Sequence, residues 1–156
     1  MSLSPLRPLV GRWEGQATVS ALGREPAVLW HTEHVRARNA GTILTIEGRS
    51  FPPAATADAD PVFTAFAVVT PRTDGGPRLH AYSSGSFVES PCEVAEGQFA
   101  WTFPGRAPVR YEATFDTEHW IEVGRCGESE VFRMELRRAV RPPHRRPAPS
   151  LFSRTR

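Results

Sequence analysis

Val109-Arg110-Tyr111-Glu112-Ala113-Thr114-Phe115-Asp116 alternates an apolar or aromatic residue with a polar one at every step. Successive side chains of an extended chain point to opposite faces, so this stretch reads as a half-buried strand with Tyr111, Ala113 and Phe115 on one side. The same period holds upstream, where Phe99, Trp101 and Phe103 alternate with Gln98, Ala100 and Thr102. It holds downstream as well, where Phe132, Met134, Leu136 and then Arg138 alternate with Arg133, Glu135 and Arg137. Further strands are expected over 12–20, 27–38, 42–50, 62–70, 78–85, 87–95 and 119–125. Turn signals such as Asn39-Ala40-Gly41, Asp74-Gly75-Gly76, Glu96-Gly97 and Cys126-Gly127-Glu128 separate many of them.

Short strands in up-and-down order, without crossover helices, predict an all-β, closed antiparallel barrel of about ten strands. Short hairpins favour a meander, and closure removes the free edges an open sheet would leave. The 15 prolines and 12 glycines in 156 residues exclude a helical bundle, since each would break a helix interior. Before the first strand, Ser4 to Val10 is expected to form one helical turn, capped by Ser4 and with Pro5 at its first position. Residues 1–140 are expected to be the barrel, and 141–156 a disordered Pro/Arg-rich tail without periodicity.

All 19 basic residues are Arg, and seven of them lie in 137–156 without an acid beside them. The rest of the chain carries 12 Arg against 17 acids, so the barrel itself is mildly acidic and no nucleic-acid surface is expected. The tail is suited to anionic partners, against the plainer reading of a solvated segment. No apolar run approaches the ~20 residues of a membrane-spanning helix. The N-terminus shows no secretion signal, so the expected location is cytoplasmic. Cys92 and Cys126 are expected to be ordinary reduced thiols.

Trp13 on the first strand and Arg138 on the last both face inward, and they become neighbours if the barrel closes. A guanidinium on an indole contributes roughly 0.5–2 kcal/mol and would plug that end. Gly11-x-Trp13 with an Arg ending the last strand resembles the structural signature of lipocalin-type (calycin) barrels. Leu9-Val10-Gly11-Arg12-Trp13-Glu14-Gly15, Gly41 to Gly48, Trp101-Thr102-Phe103-Pro104, Trp120 to Gly124 and Met134 to Arg138 resemble a lipocalin-like bacterial family known as a domain of unknown function. That resemblance spans about residues 6–140 and implies a fold more than an activity. The opening is also similar to the haem-binding nitrobindin barrels. Their proximal histidine sits on the last strand, where this chain has Glu130-Val131-Phe132-Arg133-Met134 and no His.

No motif for catalysis stands out. In His31-Thr32-Glu33-His34 the two histidines are three apart and face opposite sides of a strand, so they cannot share a metal ion. The serines at 83, 84 and 86 make no nucleophile elbow. Strands three, five and nine mix polar and apolar residues on both faces, which points to a cavity with one polar wall. There Glu47, His80, Tyr82 and Glu122 would orient a ligand among Trp101, Tyr111, Phe115 and Trp120. The expected function is non-enzymatic binding of one small, largely apolar molecule, as a carrier or sensor with no cofactor. The alternatives are a nitrobindin-like haem protein using another histidine, and a cavity enzyme using acid–base chemistry at Glu47, Glu122 or His80.

Overall fold

The chain folds into a closed ten-strand antiparallel barrel, seen in a computed structural model that describes residues 3–20, 25–56, 58–71, 76–83 and 85–140. The strands are β1 (Gly11–Val19), β2 (Ala27–Arg38), β3 (Ile43–Phe51), β4 (Phe63–Thr70), β5 (Arg78–Ser83), β6 (Ser86–Ala95), β7 (Gln98–Phe103), β8 (Val109–Phe115), β9 (His119–Cys126) and β10 (Ser129–Arg138). Each pairs with its neighbours in sequence, and β1 closes the ring on β10. Strand boundaries depart from the period-2 reading by one or two residues. The expected tail, 141–156, lies outside the described residues.

A 3-10 helix, Ser4–Leu9, precedes the barrel and lays Leu6 and Leu9 into its core, with Leu3 beside them. The expected cap is corrected here: Leu3, not Ser4, holds the cap position, and no side chain caps the helix. Burial of the three leucines takes the place of a cap in holding this segment. The described residues include no helix long and apolar enough to cross a membrane.

The helix closes one end of the barrel through Trp13. The indole is 1% exposed and donates from Nε1 to the Leu9 carbonyl at 2.7 Å. Arg138, paired with Trp13 in the β1–β10 register, lies 4.2 Å from the ring centroid. Its guanidinium also donates to the carbonyls of Val10, at 2.9 Å, and of Pro8 and Thr117. Gly11, Trp13 and Arg138 thus meet where β1 pairs with β10, and the glycine has a reason. Gly11 sits at φ +144°, and a Cβ there would overlap the Arg138 guanidinium.

Gly15, opposite Leu136, completes the set, because a Cβ on it would overlap the Glu135 carbonyl. Backbone cannot swing aside as a side-chain tip can. Gly15→Ala is therefore expected to destabilise the fold by about 1–3 kcal/mol. Chemical denaturation checks this, and a variant as stable as the parent would refute the close approach of β1 to β10.

The two halves of the barrel interior differ. Toward the helix end, Trp13, Leu44, Val69, Leu79, Phe99, Phe115 and Trp120 form a packed core. Toward the other end, where β1 and β3 finish and β2 and β4 begin, the interior is hollow. The outer face carries ion pairs, among them Arg110 with Glu93 and Glu112, and Arg133 with Glu130 and Glu135, alongside exposed apolar side chains such as Trp30 and Phe87. Such exposed pairs contribute little stability each.

Candidate ligand cavity

The hollow half encloses about 610 Å³. One wall is aromatic: Trp101 stacks on Tyr111 with ring centroids 4.6 Å apart and planes 10° from parallel. Phe132 meets Tyr111 edge-on at 5.7 Å. Gly124, opposite Tyr111 on β9, leaves room for that phenol, since a Cβ there would lie 2.8 Å from the ring.

A second wall is polar and comes from β2, β3 and β9. The β2 alternation sends Leu29, His31, Glu33 and Val35 inward, and His31 is 4% exposed. His31 Nδ1 lies 2.8 Å from Ser50 Oγ, and Nε2 lies 2.9 Å from Glu33 Oε1. The Glu33 carboxylate fits because its cross-strand partner is Gly48, where a Cβ would stand 2.7 Å from Oε1. Among the described residues, two buried polar atoms on the cavity wall have no hydrogen-bond partner: Glu33 Oε2 and Trp120 Nε1.

Glu122, on β9, also faces the cavity. It meets solvent only inside the barrel, where its charge loses most of its hydration. Burial, and secondarily the charge of Glu33, push its carboxyl up to about 8, so it is protonated at neutral pH. The Tyr111 phenol is raised too, first by burial and then by Glu122. Cys92 is instead a core thiol pushed up to about 12 by burial, with no thiolate for chemistry at neutral pH.

This architecture has a solved counterpart. The crystal structure of Rv2717c from M. tuberculosis matches at a TM-score of 0.65 and 12% sequence identity, covering 88% of this chain and 97% of that one. At that identity the match speaks for the fold alone. No family model matches the sequence, and no curated protein does either.

Within the fold shared with Rv2717c, the expected site residues separate into three groups. Trp101, Tyr111, Trp120 and Glu122 line the cavity. Phe115 points inward from β8 but sits in the packed core at the closed end, so its placement on a ligand wall is corrected. Glu47, His80 and Tyr82 are corrected as well, because all three lie on the outer face. Glu47 pairs with Arg36 at 2.7 Å. His80 is 3.9 Å from Glu89 and stacks on Phe87. Tyr82 is half-exposed in an outer cluster with Phe66 and Phe87. On β3 and β5 the ordinary rule holds, with Leu44, Ile46, Leu79 and Ala81 turned inward.

His31, Glu33 and Ser50 form the part of the polar wall that the sequence reading missed. The signal was present in β2, where His31 and Glu33 are two apart and share a face with Leu29 and Val35. It was obscured by Val28 and Trp30, apolar residues on the opposite, exposed face.

Among the described residues no group of three or more His, Cys, Asp and Glu is placed to hold a metal ion. His31 and His34 face opposite sides of β2, as their spacing requires. Haem ligation from inside the barrel does not fit the donor set. The described histidines offer only His31 to the cavity, and both its ring nitrogens are already engaged. An iron there would have to displace Glu33 or Ser50.

Proposed function

We propose that the barrel binds one small, largely apolar molecule in its hollow half, as a carrier or sensor. The observation that carries this reading is the division of the interior: one half is packed, while the other keeps about 610 Å³ behind an aromatic wall. That volume lies in the ~300–1,000 Å³ range of small-molecule sites, which are likewise mostly apolar with a few placed polar groups. The resemblance of Gly11, Trp13 and Arg138 to the lipocalin-type signature supports the same reading.

A neutral apolar fluorophore such as Nile red is expected to bind at one site per chain, with a Kd on the order of micromolar, since the cavity offers shape without matched polar contacts. Binding should quench Trp101 or Trp120. Tyr111→Ala enlarges the cavity and is expected to change the affinity about fivefold or more. Arg110→Ala, on the adjacent outward residue, should leave it within about twofold, because neighbours on a strand face opposite sides. Equal effects from both substitutions would overturn the proposed site.

A second reading draws on Glu122, whose protonated carboxyl beside the His31–Glu33 pair has the character of a general acid. Glu47 and His80 take no part in it, being on the outer face. Burial alone is enough to raise Glu122, so binding remains the conclusion.

A further inference from the structure

We propose that the ligand carries a protonated amine, which docks on the polar wall between Glu33 and Glu122 while its apolar body lies against Trp101 and Tyr111. The inference rests on the cavity-binding reading and names the chemistry that the cavity would select.

Charge complementarity is the first argument. The chain has 19 arginines, yet among the described residues none lines the cavity, whereas Glu33 and Glu122 both do. A carboxylate or phosphate head group would enter a low-dielectric space beside Glu33 with no arginine among the described residues to receive it, at a large desolvation cost. A cation meets the opposite situation.

Unmet hydrogen bonding is the second. Glu33 Oε1 is held by His31 Nε2, but Oε2 has no donor among the described residues. Among the described residues nothing donates to this buried oxygen, and buried polar atoms are ordinarily hydrogen-bonded. An ammonium supplies N–H donors to Oε2 and charge to the pair. The π faces of the Trp101–Tyr111 stack add attraction for a cation.

Glu122 makes the binding proton-linked. The amine brings a positive charge to the carboxyl whose ionisation burial and Glu33 oppose, so Glu122 is expected to release its proton when the amine docks at pH 7. Around it stand Glu33 and Tyr111, with His31 held between Glu33 and Ser50.

Displacement of Nile red by dodecylamine, dodecanol and dodecanoic acid at pH 7 tests the proposal. The three share a tail and differ in the head group. The amine is expected to displace at about tenfold lower concentration than the alcohol, with the acid weakest. Glu33→Gln should remove the amine's roughly tenfold advantage over the alcohol. Calorimetry in two buffers of different ionisation enthalpy should show proton release on amine binding to the parent and none for Glu122→Gln. The amine proposal is overturned if the acid displaces as well as the amine, or if Glu33→Gln keeps the amine's advantage. Should Glu33→Gln not fold, absence of proton release in the parent overturns it. In each of these cases dodecanol and Nile red still bind, and the cavity reading stands. If neither Nile red nor any of the three binds, both readings fall.

Discussion

Trp13→Ala is expected to lower stability by about 3–5 kcal/mol. For a domain of this size that is roughly 10 °C or more in melting temperature. Three contacts go at once. The closed end loses an indole that is 1% exposed and meets Trp120 edge-on at 5.9 Å. Arg138 loses the ring beneath its guanidinium, and the Leu9 carbonyl loses its donor. Trp13→Phe separates these, because a phenyl ring retains packing and a π face but not the N–H. It is expected to cost about 1–2 kcal/mol. Urea denaturation of the three proteins reads the differences, and a Trp13→Ala variant as stable as the parent would refute closure through this residue.

Glu122→Gln is expected to stabilise the protein at pH 8.5 by on the order of a few kcal/mol and to change little at pH 4. The sign follows from the raised carboxyl. Unfolded, Glu122 ionises near its ordinary value of 4.5; folded, it holds its proton to about 8. Below 4.5 both states are protonated and nothing is lost. Between 4.5 and 8 the unfolded chain has released a proton that the fold keeps, so rising pH favours unfolding. Above 8 the folded carboxyl is charged too and the loss is complete. Glutamine carries no such proton and removes the slope.

Glu93, Asp116 and Glu130 work in the other direction. Glu93 and Glu130 are held below their ordinary range chiefly by hydrogen bonds from Arg110 and Arg133, and Asp116 by the backbone N–H groups of Glu118 and His119. What they contribute is lost as pH falls. The test is therefore the difference between parent and variant across pH 4–9, in which those groups cancel. Parallel curves would mean that Glu122 is not desolvated by the cavity.

The strand order, the meander and the closure of the barrel were legible in the sequence because each is a local property. An alternation such as Tyr111-Glu112-Ala113-Thr114-Phe115 sets two faces without reference to the rest of the chain, and each short turn brings the next strand alongside. Trp13 and Arg138 could be paired from a distance only because a closed meander leaves its first and last strands with each other. Where the reading departed from plain alternation it failed. Glu47, His80 and Tyr82 were drawn inward as candidate ligand contacts, but their strands place Leu44, Ile46, Leu79 and Ala81 on the inner face, as hydrophobic burial dictates.

The hollow was a decision of the tertiary structure. Tyr111 and Phe115 lie on one strand and one face, with the same period, yet one walls a cavity and the other fills a core. Parity tells a residue which side of the sheet it occupies, but not what stands across the barrel at its own height. That depends on ten strands in register, and on Leu3, Leu6 and Leu9 entering one end, with nothing comparable among the described residues entering the other. The polar wall arose in the same way. A buried Glu33 is tolerable only because Gly48, on another strand, yields the space its carboxylate occupies, and because Ser50 and His31 form a hydrogen-bonded chain leading to it. Period 2 determined the barrel; the side chains that meet across it determined that half of it is hollow and where the buried Glu33 carboxylate lies.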